Sequence, residues 1–92
     1  MEILKPYRAR IDALDDRIVD LLVERAGIIN EVGHLKKREN IAPVLQDRVD
    51  QVRERNAARA ESKGLDPDLV RKLYTTIIEW SCDLEETIRT KS

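Results

Sequence analysis

Four basic residues stand where a helical repeat should be apolar or where a helix begins, and their spacing suits the binding of a small anion. Arg25 interrupts a 3,4 repeat between Leu21 and Ile28. A guanidinium removed from water there needs an anion and hydrogen bonds around it. Lys36 follows eleven residues later; at about 100° per residue it returns to nearly the same side of a helix, about 16 Å along the axis. Two long side chains at that separation can converge on an anion between them. Arg48 falls in the first turns of a second helix, where free N–H groups and the helix dipole reinforce its charge. Arg8 lies about 25 Å from Arg25 along one helix. It cannot share a small ligand with Arg25 of its own chain, but an antiparallel copy could deliver it. Each residue also has an ordinary reading. Asp12, Asp15 and Glu24 offer the arginines weak surface partners, and Lys36 adjoins Lys37 and Arg38 in a charged run.

The elements carrying these residues are helices. Steps of three and four from Leu4 pass through Tyr7, Ile11, Leu14, Ile18, Leu21, Arg25, Ile28, Val32 and Leu35. This predicts one helix from about Lys5 to Glu39, with Pro6 in its first turn. Gly33 is a weak helix former whose simplest use is close approach of another backbone. Asn40 to Pro43 break the pattern, and a second helix is expected from about Val44 to Ser62, with Leu45, Val49, Val52, Ala57 and Ala60 as its apolar side. Gly64 suits a C-terminal stop. Asp66 and Pro67 read as cap and first residue of a third helix. Its stripe is Val70, Leu73, Tyr74, Ile77, Ile78, Leu84 and Ile88, with Ser81 inside it, and Thr90, Lys91 and Ser92 are expected to fray. His34 is read as solvent-facing, and Trp80 and Cys82 as packing on or covering the core, none with a chemical role.

The fold class is therefore all-α, three helices (long, short, medium) in a single domain over 1–92. A helix of 35 residues is about 50 Å long, whereas a compact domain of this size has a radius of gyration of about 12 Å. The shorter helices cannot cover the long one, so a homodimer is expected. Composition agrees, because 92 residues with no Phe, two Tyr and one Trp make a thin core. Seventeen Lys and Arg oppose eighteen Asp and Glu. That balance provides no bulk positive field for nucleic acid or an anionic membrane. No apolar run approaches membrane-spanning length, the N-terminus lacks a signal-peptide core, and no Cys/His set has metal-ligand spacing. The expectation is a reduced, cytoplasmic protein without a metal site, too short to carry a fused regulatory domain.

In order and spacing these segments resemble the all-helical chorismate mutase family (chorismate mutase type II) over almost the whole chain. The matching stretches are Arg8 to Asp15, Leu21 to Arg25, Glu31 to Lys36, Pro43-Val44 with Arg48, Gly64 to Asp66, and Leu73 to Glu79. The resemblance implies an intertwined homodimer and a [3,3] rearrangement of chorismate to prephenate in Phe and Tyr biosynthesis, with no cofactor. It further implies that Arg25 and the partner's Arg8 bind the two substrate carboxylates, which bidentate forks suit. Lys36 would bridge a carboxylate and the ether oxygen, Arg48 would add positive potential, Ser81 would contact the ring end, and Glu85 would stand beside the ether oxygen.

Two departures bear on the substrate. Many members place acids near the start of helix two to accept from the ring hydroxyl, where this chain has Leu45 and Val49. The related isochorismate-pyruvate lyases and 4-amino-4-deoxychorismate mutases share the frame and are the alternative activities; a non-catalytic helical dimer is a third reading. Glu85 stands where many bacterial members carry Gln. Burial favours its neutral acid and nearby cations its carboxylate; the working expectation is that the neutral acid donates to the ether oxygen, so mild acidification raises activity.

Overall fold

A computed structural model describes residues 1–91. It contains three helices: α1 (Lys5–Glu39), α2 (Gln46–Ser62) and α3 (Pro67–Thr90). Among the described residues there is no strand, so the all-α expectation holds.

Local signals account for the boundaries. Pro6 occupies the first turn of α1, and Lys36, Lys37 and Arg38 lie in its last turn, where cations complement the helix dipole. Asn40 then adopts φ 57°, and the Ile41 N–H reaches back to the Lys36 carbonyl at 2.8 Å. That is a Schellman-type end with Asn in place of the commoner Gly. The end of α2 repeats the device with Gly64 at φ 82° and Leu65 N–H on Ala60 O at 2.9 Å. Asp66 caps α3 through a 2.9 Å bond from the Asp68 N–H, with Pro67 in the first turn.

Two expected boundaries shift. The second helix begins at Gln46 rather than Val44, because Leu45 is extended (φ −115°, ψ 98°) and its carbonyl accepts the first helical bonds, from Arg48 and Val49. Thr90 is helical rather than frayed: the Lys91 N–H still bonds Thr87 O, and the Lys37 ammonium donates to the Lys91 carbonyl, tying the end of α3 to α1. Ser92 lies outside the described residues.

α3 is the central element. It packs against both α1 and α2, whose backbones stay apart from each other. On the α1 side the approach is set by Gly33, where a Cβ would lie 2.7 Å from Ile88 Cδ1 and 3.5 Å from Glu85 Cα. On the α2 side Ala57 and Ala60 are buried with Val70 and Ile78, and Arg71 of α3 bonds Glu54 of α2 at 3.1 Å. Hydrogen bonds from Arg53 and then Arg71 hold the Glu54 carboxyl below its ordinary value.

The face of α1 that α3 covers is not centred on its longest apolar stripe. Arg25, Ala26, Ile29, Val32, Gly33 and Lys36 are buried or half-buried, whereas the stripe residues Leu21, Ile28 and Leu35 are exposed. Leu45 and Leu73 are likewise exposed, and Trp80, expected to pack on or cover the core, is 54% exposed. Cys82 is half-buried and His34 exposed. The single chain is 55 Å long with a radius of gyration of 16.7 Å, well above the roughly 12 Å of a compact domain of its length.

Candidate active site

Since α3 lies between α1 and α2, the space above it is a cleft with two helical walls and a helical floor. Its volume is about 280 Å³, at the lower edge of the roughly 300–1,000 Å³ usual for small-molecule sites. The α1 wall presents Arg25, Ile28, Ile29, Val32 and Lys36, and the opposite side Pro43, Leu45, Arg48, Val49 and Val52. Ile78, Ser81, Cys82 and Glu85 form the floor. Five residues singled out from the sequence, Arg25, Lys36, Arg48, Ser81 and Glu85, thus line one cleft. Arg8 does not; it sits seventeen residues before Arg25 on the same straight helix, about 25 Å away by the helical rise.

The groups at the two ends of the cleft are held differently. At one end the Arg25 Nη1 donates to Ser81 Oγ at 2.8 Å, and Ser81 Oγ donates to the Ile77 carbonyl at 2.9 Å. Among the described residues no carboxylate comes within 4.0 Å of Arg25, so its surface-pair reading does not hold. At the other end Lys36 Nζ lies 2.7 Å from Glu85 Oε1 and donates to the Pro43 carbonyl at 3.1 Å. Glu85 is 5% exposed, and its Oε1 meets the ammonium outside hydrogen-bonding geometry, so that buried oxygen accepts no directed hydrogen bond. The oxygen is nonetheless met by the opposite charge of the ammonium at 2.7 Å, which offsets part of the cost of burying both groups. Between these ends, Arg48 is exposed and donates to Gln51 Oε1 at 2.6 Å.

The chemistry open to this lining is electrostatic. Arg25, Lys36 and Arg48 present positive charge to a partly apolar cleft, an arrangement suited to a small carboxylate-bearing molecule. Cys82 is not poised as a nucleophile: burial first, and Glu85 second, push its thiol above its ordinary value, against the opposing effect of Lys36 and Arg25. Among the described residues no group of three His, Cys, Asp or Glu could hold a metal ion, and no helix is long and apolar enough to cross a membrane.

Two other hollows compare poorly. A cleft of about 440 Å³ lies beyond Val49, Ile78 and Cys82, but its one cation, Arg53, is already paired with Asp50 and Glu54. A groove of about 390 Å³ between α1 and α3 is almost wholly apolar, with Val19, Leu22, Val23, Ile77 and Trp80. Residue types alone missed the Pro43 carbonyl, because it is a backbone group; its signal was the break in helical pattern seven residues after Lys36. Cys82 lines the cleft because it follows Ser81 on the floor helix.

Comparison with known proteins places this geometry. The family model for chorismate mutase type II matches residues 7–86. A 4-amino-4-deoxychorismate mutase of Streptomyces pristinaespiralis is 35% identical over 83 residues, covering 90% of this chain and 64% of that protein. The chain therefore spans a little under two thirds of that relative. A 4-amino-4-deoxychorismate mutase of Streptomyces venezuelae is 30% identical over 88 residues, covering 96% of this chain and 85% of that protein. A T-protein of Enterobacter agglomerans is 28% identical over 78 residues, 85% of this chain but 21% of the relative. Since the family match takes in α2, nearly all of α1 and α3, and every residue of the cleft lining, the chain belongs to the chorismate mutase type II family.

Proposed function

We propose that the chain works in the cytoplasm as an intertwined homodimer that rearranges a chorismate-type dicarboxylate, with 4-amino-4-deoxychorismate as its substrate. The observation that carries the reading is the gathering of Arg25, Lys36 and Arg48 around one cleft whose floor holds a buried Glu85.

In this reading Arg25 and the partner's Arg8 each grip a carboxylate with a planar fork. Lys36 reaches both a carboxylate and the ether oxygen, and Arg48 adds positive potential at the mouth. The walls press the flexible enolpyruvyl arm over the ring, a near-attack conformer. One carbon–oxygen bond then breaks as one carbon–carbon bond forms, with no proton transferred and no bond to the protein. Negative charge grows on the ether oxygen, where Lys36 stabilises it and Glu85 stands beside it. A Glu85→Gln variant, which always carries a donor, keeps neutral-pH turnover.

The dimer is supported by what the single chain leaves bare. Tyr7, Ile11, Leu14 and Ile18 are each more than half exposed on one side of α1, and the apolar groove beside Trp80 is available to receive such a stripe. An antiparallel copy seated there brings its Arg8 toward the Arg25 end of the cleft.

Substrate choice rests on two supports. Leu45 and Val49 give the α2 wall no acceptor for a ring hydroxyl, and a site without that partner lacks the usual means of selecting a hydroxyl strongly. Two relatives bear the 4-amino-4-deoxychorismate mutase name. Chorismate itself is the second reading, favoured by the family match. Separate incubation of purified protein with 4-amino-4-deoxychorismate, chorismate and isochorismate, with products identified, tests the proposal. The highest kcat/KM is expected with the amino compound, giving its prephenate analogue. A preference for chorismate, giving prephenate, would install the second reading. Salicylate with pyruvate from isochorismate would show a lyase, and turnover of none a helical interaction module.

A further inference from the structure

We infer that Ser81 is a positioning residue that acts through Arg25, rather than a group that binds substrate itself; the inference rests on the mutase reading of the cleft. The directions of its two hydrogen bonds are fixed by chemistry. A guanidinium can only donate and a carbonyl can only accept. Ser81 Oγ, at 2.8 Å from Arg25 Nη1 and 2.9 Å from the Ile77 carbonyl, therefore accepts from the first and donates to the second. A hydroxyl has one proton, and the Ile77 carbonyl takes it. In this arrangement what Ser81 turns to the cleft is a lone pair, so it offers an incoming carboxylate no proton unless it gives up the Ile77 carbonyl.

The same bond organises Arg25. The guanidinium has no carboxylate among the described residues within 4.0 Å to orient it, and its other neighbours in the cleft wall, Ile28 and Ile29, are apolar. Ser81 is 4% exposed on the floor helix, so the acceptor it offers is itself fixed. One of five guanidinium N–H groups is spent there, which leaves a fork for an incoming anion. A hydroxyl orients the guanidinium without neutralising it, as an Asp at this position would. Its commitment to Ile77 O also polarises the oxygen as an acceptor.

A double-mutant cycle on kcat/KM, with 4-amino-4-deoxychorismate and chorismate as probes, tests the inference alongside the Arg25 side-chain NMR signals of the dimer. Ser81→Ala suits the helix interior, and the Ile77 carbonyl keeps its place in α3, so the variant folds. It lowers kcat/KM about tenfold or more by freeing the guanidinium. In an Arg25→Ala background the same change costs nothing further, and guanidinium ion added to Arg25→Ala rescues turnover better when Ser81 is present. An equal Ser81→Ala loss in both backgrounds would show direct substrate contact and overturn the inference. The NMR arm needs no turnover: ordered Arg25 guanidinium signals, assigned by their absence in Arg25→Ala, broaden in Ser81→Ala. Unchanged signals would also overturn it, whereas failure to convert any probe with the expected NMR change would overturn the mutase reading alone.

Discussion

From Lys5 to Glu24 every residue of α1 is exposed, whereas from Arg25 to Lys36 the same helix lies against α3. Apolar supply does not separate the halves, since Tyr7, Ile11, Leu14 and Ile18 continue the repeat that Ile28, Val32 and Leu35 carry on. Length and close approach do. The 24 residues of α3 reach about 36 Å against about 52 Å for the 35 of α1, and Gly33 lets α3 come nearest at the covered end. Arg25 and Lys36 are thereby placed by contacts within one chain, while Arg8 stands beside a stripe that the chain leaves bare. The difference teaches that five of the six proposed site residues are gathered by folding alone, and that only Arg8 depends on association.

The sharpest way to break this contrast is to charge the bare half. Leu14→Glu with Ile18→Glu is a pair of surface substitutions in an isolated chain, where each would change stability by at most about 0.5 kcal/mol. In a dimer it removes four covered side chains, each worth about 1.5–3 kcal/mol, a total of about 6–12 kcal/mol. Set against the roughly 8 kcal/mol of a micromolar dimer, that abolishes association. Sedimentation should show monomer and turnover should vanish; an unchanged, active dimer would put the interface on another face.

Next in size is the arginine pair. Removing one partner of an enclosed charge contact costs about 2–5 kcal/mol, so Arg8→Ala and Arg25→Ala each lose about a hundredfold or more in kcat/KM. If Arg8 serves the other chain's cleft, mixing the two variants with subunit exchange restores activity. Each heterodimer then has one site with both arginines and one with neither. No recovery despite exchange, followed by mass spectrometry, would confine Arg8 to its own chain.

On the covered half, Gly33→Val probes the close approach. Its Cβ would meet Ile88 Cδ1 at 2.7 Å. That atom is the far end of a flexible side chain, so Ala could be absorbed by a rotamer change. Valine's further methyls must also be placed beside Glu85 Cα, and overpacking of this kind costs about 1–3 kcal/mol. Denaturant unfolding should show that loss, with kcat/KM falling as Glu85 shifts from Lys36. Full stability would mean that α1 and α3 have room to spare.

Much of this was legible in advance, and the reasons differ by element. The three helices follow from the 3,4 repeat, the Gly64 stop and the Asp66-Pro67 start, and all three signals match the observed boundaries. That Arg25 and Lys36 share a side was legible from helical geometry, whereas Ser81 and Glu85, on another helix, were joined to them and to Arg48 through the family resemblance; by type alone Ser81 reads as a small filler and Glu85 as a surface acid. The face of α1 that α3 covers was not legible. A repeat sums every apolar surface a helix presents, including any its own chain leaves bare, so Leu21 and Ile28 stand out in the sequence yet are exposed in the chain. Nor does residue type reveal the Pro43 carbonyl behind Lys36, or whether Ser81 donates or accepts toward Arg25.

The smallest effect is expected at Gly27, within the stretch of α1 that α3 shields. It is exposed, and a Cβ there would meet nothing within 4 Å. At about 100° per residue Gly27 points roughly 120° away from Gly33, the point of closest contact with α3, and more than 130° from the stripe centred near Val32. The side packed on α3 and the side proposed for a partner copy therefore both leave Gly27 facing water. Gly27→Ala gains about 0.4–1 kcal/mol through helix propensity and a less flexible unfolded chain. A rise in unfolding midpoint with unchanged kcat/KM and unchanged oligomeric state is the expected result. Loss of dimer or activity would mean that a third surface of α1 is occupied, and the division of the helix into a self-covered half and a partner-covered half would have to be redrawn around it.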